Sequence, residues 1–415
     1  MRAFPVVLVL ALWAVGCAHG PAASSTRQQE TAPQRTPGEV ATLAFVKPFL
    51  DRCATGDAVA CRPVLVRVQA ARTDAEATSY LPALKLACDR SVLAACAAVS
   101  FQAIQREAGA TAELDRLRSL CEQNQDSAAC SYLIDAEVHR GNAFPDVVQK
   151  YEAALRQSCT HAPGPSCTNV AQKELAAGNV GSAQLGLIDR GCDGGDGMAC
   201  YQLGQVYDQG AGDKIAKDPK EARRGFQRAC DLLWPEGCYD LAWQLKNAGD
   251  AKGFDELAQK ACGLGDSKAC DDLAQIASEA GDSQAPERYC ALWGANACYA
   301  AAAGLVKDKD HVDAVARGVV EFSATGCMRG STAGCNVLGH LLEQAAAQCE
   351  KEDATSQLDG CALTAEAFAR GVKLPPGQGK SVPQDRAQAA RAFERSCHAG
   401  SATSCARNDE LSKGP

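Results

Sequence analysis

The sequence predicts an all-α fold, an α/α solenoid (superhelix) of helix-turn-helix repeats stapled by disulfides. Three observations predict it. Twenty-two of the 23 cysteines fall into close pairs, and nine pairs share a spacing of eight positions. The first cysteines of successive pairs from Cys53 to Cys327 lie 35, 33, 38, 33, 38, 32, 28 and 37 residues apart, a period that marks stacked helical hairpins. Between the cysteines of five pairs, a glycine is followed by a helix-capping residue.

The chain begins with a positive charge at Arg2 and an apolar run from Val6 to Val15 that ends in small residues. Residues 1–16 read as a secretory signal, too short to stay as a membrane-spanning helix. Ala14-Val15-Gly16-Cys17 resembles the lipobox of bacterial lipoproteins, which implies cleavage before Cys17 and acylation of its thiol. Cys17 is also the cysteine outside the pairs. Several acyl chains anchor a protein without a transmembrane span, so the membrane is expected to be met through the lipid alone. Ala18 after the cysteine is similar to the outer-membrane-directed class, which places the protein in the bacterial cell envelope, facing the periplasm or the surface. Residues 17–39 are rich in Ala, Pro, Ser, Thr and Gln and read as a flexible tether.

Residues 40–410 read as one repeat array, followed by a short disordered tail at 411–415. In chain order, Cys53 pairs with Cys61, Cys88 with Cys96, Cys121 with Cys130, Cys159 with Cys167, Cys192 with Cys200 and Cys230 with Cys238. The series continues with Cys262 and Cys270, Cys290 and Cys298, Cys327 and Cys335, Cys349 and Cys361, and Cys397 and Cys405. Gly56, Gly195, Gly265, Gly330 and Gly400 stand three residues after a first cysteine, where a helix ends and the backbone needs positive φ. Asp57, Asp196, Asp266, Ser331 and Ser401 follow them, each a good N-cap for the next helix. The first cysteine thus closes one helix, the second lies in the first turn of the next, and an antiparallel hairpin brings them to bonding distance. Each bridge closes a loop worth roughly 2–3 kcal/mol in chain entropy. Aromatic content is only 5%, so the staples offset a small apolar core. Paired cysteines at this density require an oxidising compartment. There is no CxxC, and His19, His139, His161, His311, His340 and His398 are scattered, which argues against a metal.

Two places deviate. The unit from Cys270 to Cys290 is short, with Pro286 limiting its second helix, and 349–361 reads as a polar insertion loop. Lys307-Asp308-Lys309-Asp310-His311 reads as an exposed loop before a helix, and Arg386, Arg391 and Arg395 as a solvated helix face. Formal net charge is −8 and no basic patch with interleaved aromatics occurs, which excludes nucleic acid as an expected partner.

Residues 199–233 resemble a Sel-one-like repeat, a relative of the tetratricopeptide repeat, through Ala199, Leu203, Gly204, Tyr207, Gly210, Gly212, Asp218, Ala222, Phe226 and Ala229. Residues 377–400 are similar through Gly377, Gly379, Asp385, Ala387, Phe393 and Gly400, and 334–344 match the front half only. The cysteine-rich branch of this family implies a secreted bacterial α/α superhelix that holds a protein, peptide or peptidoglycan fragment in its concave groove, as a monomer and without a cofactor. Carrying the tetratricopeptide geometry onto Leu203, Gly204 and Tyr207 points Tyr201, Gln205, Asp208 and Gln209 into that groove. In the next unit Tyr239, Trp243, Lys246 and Asn247 follow, then Asp271, Gln275, Ser278 and Glu279. Trp243 and Tyr239 suit a binding anchor, or Trp243 packs against the neighbouring repeat instead. Some cysteine-rich relatives are classed as β-lactam-binding or hydrolysing, which is the alternative function. No serine has Lys three residues on, and KTG, G-x-S-x-G, HxH and HExxH are absent, so the nucleophile or metal such an enzyme needs has no sequence counterpart.

Overall fold

The cysteine pairs mark the joints of the structure. The computed structural model describes residues 36–71, 73–106, 110–176, 181–210, 215–305, 320, 323, 325, 332–351, 354–372 and 381–412. Cys17, Cys327 and Lys307 to His311 lie outside them, and with Cys327 so does the expected bridge from Cys327 to Cys335. The helices are α1 (Pro37–Ala54), α2 (Ala58–Ala70), α3 (Asp74–Asp89), α4 (Leu93–Arg106), α5 (Thr111–Glu122), α6 (Ser127–His139), α7 (Phe144–His161), α8 (Pro165–Ala176), α9 (Ser182–Asp193) and α10 (Gly197–Gln209). They continue as α11 (Pro219–Asp231), α12 (Pro235–Asn247), α13 (Ala251–Gly263), α14 (Ser267–Glu279), α15 (Ala285–Leu292), α16 (Ala295–Leu305), α17 (Thr332–Cys349), α18 (Ala354–Arg370), α19 (Arg386–His398) and α20 (Ala402–Ser412). Helix α1 starts within the stretch that reads as tether: Glu39 closes a capping box with Thr36 and also accepts from the Thr73 hydroxyl at the start of α3. Consecutive helices pack on one another along the array, and several also pack on the next but one: α1 on α3, α2 on α4, α4 on α6, α6 on α8, α10 on α12 and α14 on α16.

Each described bridge joins an odd helix to the even helix after it. The first four are Cys53–Cys61, Cys88–Cys96, Cys121–Cys130 and Cys159–Cys167. Then come Cys192–Cys200, Cys230–Cys238, Cys262–Cys270, Cys290–Cys298, Cys349–Cys361 and Cys397–Cys405. Their Cα–Cα distances are 4.5–4.9 Å.

The joint is one compound motif. Gly56 N–H donates to Cys53 O at 2.9 Å and Asp57 N–H to Arg52 O at 3.3 Å, with Gly56 at φ 91°. This is the bond pair of a Schellman motif, which satisfies carbonyls a helix end leaves bare. Asp57 then caps α2, accepting from the Val59 and Ala60 amides at 3.0 Å. The same pair of bonds recurs at Gly195 and Asp196, at Gly265 and Asp266, and at Gly400 and Ser401. Joints without glycine adopt it too: Ser91 at φ 65° and Leu233 at φ 61° donate to Cys88 and Cys230 carbonyls. The wider Cys121–Cys130 joint turns at Gln125, φ 54°.

The 349–361 segment is a correction. It is not mainly a loop, because α18 begins at Ala354 and carries Cys361 on its eighth residue, where Cys61 is the fourth of α2. The separation of 12 instead of 8 adds four residues, about one helical turn. A whole turn returns the cysteine to the same helix face, so the Cα–Cα distance stays at 4.5 Å.

The face of Arg386, Arg391 and Arg395 is exposed, as expected from the sequence, and two of its cations also reach neighbouring elements. Arg386 donates to Leu411 O at the end of α20, and Arg395 donates to Cys349 O at 3.3 Å and to Glu350. The Arg395 bond belongs to a pattern. Arg190 and Lys260, each also two residues before a first cysteine, donate to the carbonyls of Cys159 and Cys230 in the preceding hairpin. Arg228, at the equivalent place, pairs with Asp189 and Asp193 near the end of α9. A cation at the C-terminal end of a helix satisfies bare carbonyls and suits the helix dipole.

The array closes on itself. Helix α1 packs on α13 and α15, and the buried Thr42 hydroxyl donates to Gly263 O at 2.7 Å across 221 residues. A Cβ at Gly263 would stand 2.5 Å from Phe45, and one at Gly38 would stand 2.6 Å from Leu292 O and 2.7 Å from Trp293. Arg62 of α2 lies against the joint at Gly195, and Val66 against Gly197. One core cluster consequently runs from Val46 through Val170 and resumes from Cys230 to Trp293. Between α2 and α3 sits a buried ion pair: Arg67, 0% exposed, donates to Glu76 at 2.6 Å, and Tyr80 donates to the same oxygen at 2.7 Å.

Candidate functional site

Three short sequences align at the second cysteine: Cys200-Tyr201-Gln202-Leu203, Cys238-Tyr239-Asp240-Leu241 and Cys270-Asp271-Asp272-Leu273. They open the even helices α10, α12 and α14. The leucines at the last position are buried, which sets the residues between to the sides of each helix. Tyr201 lies at 5.9 Å from the Phe226 ring and its hydroxyl accepts from Gln205 at 2.8 Å. That hydroxyl also stands beside Asp240. One repeat later the Tyr239 hydroxyl donates to Asp272 at 2.7 Å, and Asp271 accepts from the Ala297 amide of α16 at 2.8 Å. The phenol of one even helix thus meets the second carboxylate of the next. The alignment on the cysteines brings this rung into view, whereas geometry carried from a single repeat points both tyrosines into a groove without their carboxylate partners.

Burial, with the carboxylates close by, pushes the Tyr201 and Tyr239 phenols above the ordinary tyrosine range. Burial also raises Asp240, helped by Asp208 and Glu236 and opposed by Tyr201 and Lys268. Asp271 is raised by burial as well.

Of the eight groove candidates, Asp208, Gln209, Lys246 and Asn247 are exposed, and Tyr201, Gln205, Tyr239 and Trp243 are half-buried. Trp243 lies between two aromatic neighbours, Tyr239 at 6.4 Å and 87° and Phe254 of α13 at 5.5 Å and 66°. The Lys246 ammonium stands 4.3 Å from the Trp243 ring centre and 4.5 Å from that of Phe254. Trp243 therefore packs on the neighbouring hairpin, one of the two placements open from sequence, while keeping an edge at the surface. In the third unit Gln275, Ser278 and Glu279 belong to α14, and Gln275 donates to Glu279 at 2.9 Å.

Among the described residues no group of three or more His, Cys, Asp and Glu is placed to hold a metal ion, and no helix is long and apolar enough to cross a membrane. A shallow depression bordered by Gln125, Arg156, Thr160 and His161 lies on α7, but Arg156 there is already paired with Glu152 and Glu174.

The sequence matches no family model and no curated protein. Among solved structures the chain is similar to a Sel1 repeat protein from Oxalobacter formigenes, at 14% identity and a TM-score of 0.34, over 94% of this chain and 98% of that one. It is also similar to c5321, a protective antigen present in uropathogenic Escherichia coli strains that displays an SLR fold, at 16% identity and a TM-score of 0.27, over 90% of this chain and 86% of that one. The chain's own helices, joints and bridges make it a disulfide-stapled α/α repeat solenoid.

Proposed function

We propose that the chain is a lipid-anchored scaffold of the bacterial envelope that holds a protein, peptide or cell-wall fragment on its even helices. The observation that carries this reading is the surface of α10, α12 and α14. Half-buried Tyr201, Tyr239 and Trp243 stand on helices fixed by bridges, beside the exposed ends Asp208, Gln209, Lys246 and Asn247. Rigid aromatic edges rimmed by polar groups suit a binding face, because little side-chain entropy is lost on docking. Cys17 supplies the anchor in this reading, and the oxidising compartment follows from the bridges.

The test is a photo-crosslinking amino acid placed at Gln209 or Asn247 in living cells, with Lys252 on α13, 87% exposed, as the control position. Defined partners captured at the first two sites and not at the third support the scaffold. Capture that is equal at all three sites, or absent, sinks it. A Cys17→Ser variant that stays with the membrane fraction would remove the anchor from the proposal.

A further inference from the structure

The rings around Trp243 hold a cation that belongs to the chain itself. Lys246 sits one turn beyond Trp243 on α12, and its ammonium lies over the faces of Trp243 and Phe254 at 4.3 and 4.5 Å. Tyr239 closes another side, edge-on to Trp243, and is held in place by its bond to Asp272. Phe254 is 6% exposed and fixed in the core shared with α1, so the box is built on rigid parts. Among the described residues Lys246 makes no ion pair or hydrogen bond that would tie it down by other means, and it is exposed. Its attachment to the box is the attraction between an ammonium and two ring faces, which is small at an exposed site.

We propose that the Tyr239–Trp243–Phe254 box is a lysine-reading site, occupied at rest by Lys246 and taken over by a lysine side chain of a bound peptide. The inference rests on the scaffold reading and names what that scaffold recognises. Two ring faces attract an alkylammonium more strongly than a neutral amide and give no attraction to a carboxylate. The resident and the incoming group have the same chemistry, so the exchange leaves the box filled and releases Lys246 to water. Asp272, which accepts from Tyr239 at the edge of the box, sets a carboxylate beside it and favours a basic peptide over an acidic one. The internal competitor lowers the apparent affinity by the ratio of plugged to open boxes, about two- to fivefold for an exposed cation–ring contact.

The experiment follows the Trp243 indole N–H resonance of the isotope-labelled, oxidised protein during titration with a capped Gly-Ser-Lys-Ser-Gly peptide. The same peptide with acetylated lysine is run beside it. A saturable shift with lysine only is expected, tightening about two- to fivefold in Lys246→Ala. Lys252→Ala changes the surface charge equally, and is expected to leave the affinity as in the unmodified chain. Equal response to both peptides, equal tightening in Lys252→Ala, or a silent Trp243 in Lys246→Ala would each overturn the proposal. Partner capture at Gln209 and Asn247 with a silent Trp243 would refute the lysine site and leave the scaffold standing. Loss of that capture refutes the scaffold itself.

Discussion

The first hairpin and the last are built from the same joint, but the first hairpin and the α17–α20 region are held in different ways. Hairpin α1–α2 shares one core with hairpins far along the chain, through Thr42, Phe45 and Gly38 on Gly263, Leu292 and Trp293. The α17–α20 region has small cores of its own, one around Cys349, Cys361, Ala389 and Phe393 and another around Leu342, Ala367 and Val372. A repeat array ordinarily gains stability from nearest neighbours alone. Here the N-terminal part has a contact that skips from the first hairpin to the seventh and eighth, so its loss should be felt far away. Changes in the last hairpins should stay local.

The sharpest test of that difference is Arg67. Its guanidinium is fully buried and its partner Glu76 is 3% exposed, so Arg67→Ala leaves a buried carboxylate without its cation. The expected loss is about 3–5 kcal/mol, read by urea unfolding of the oxidised protein. Arg67→Met together with Glu76→Leu removes both charges and should restore most of that stability. In the C-terminal region the ion pair of Arg395 with Glu350 is solvent-exposed on both sides, and Glu350→Ala should cost less than about 1 kcal/mol. Equal losses at the two sites would erase the contrast.

A pair of glycines breaks the comparison differently. At Gly263 the obstacle to a side chain is Phe45, whereas Gly400 has open space around it and is constrained only by φ 111°. Gly263→Leu should cost about 3 kcal/mol by overpacking and raise hydrogen exchange in α1 as well as in α13. Gly400→Ala should cost about 1–2 kcal/mol through backbone strain and change exchange only in α19 and α20. Protection lost in α13 alone after Gly263→Leu would show that the first hairpin is not coupled to it.

Acid response separates the regions again, with opposite sign. Asp135 of α6 is pushed up to about 7 by burial and by the nearby Asp196 carboxylate. The folded state therefore keeps a proton that the unfolded state releases near pH 4, and stability falls as pH rises from there towards 7. Asp385, the N-cap of α19, is held below its ordinary value of 3.8 by the Gln388 amide and side chain. Its contribution is present above pH 4 and is lost as pH falls through the lowered value. Asp135→Asn should stabilise the protein at pH 8 by about 2 kcal/mol and leave it nearly unchanged at pH 4. Melting of the two proteins at both pH values decides it, and an equal shift at both would refute the assignment.

What could be read from the sequence was local. Gly56 and Asp57 announce a helix end and a helix start by residue type alone, and Cys53 and Cys61 flank them, so the joint followed from nine residues. The closure did not, because Thr42 and Gly263 are 221 positions apart and neither has a composition that signals the other. Glu39 reads as tether because its partner Thr73 belongs to the next hairpin. Pointing Tyr201 and Tyr239 into a groove used geometry carried from a single repeat, which does not reach their partners Asp240 and Asp272 on the following one. The extra helical turn before Cys361 was hidden by a polar composition that suits an exposed helix as well as a loop.

The smallest expected effect tests the joint itself. Ser91 occupies the place of Gly56 and Gly195, with φ 65°, and its side chain is exposed. A left-handed conformation costs an L-residue about 1–2 kcal/mol, and glycine returns part of that through its freer unfolded chain. Ser91→Gly should therefore raise stability by about 0.5–1 kcal/mol, without altering the Cys88–Cys96 bridge. Leu233→Gly, at the equivalent joint, relieves the same strain but removes a side chain only 2% exposed in the shared core, and should destabilise instead. If both substitutions stabilised the protein, the shared core would contribute less at this joint than the backbone does. If both destabilised it, positive φ would not be what these joints ask of their third residue.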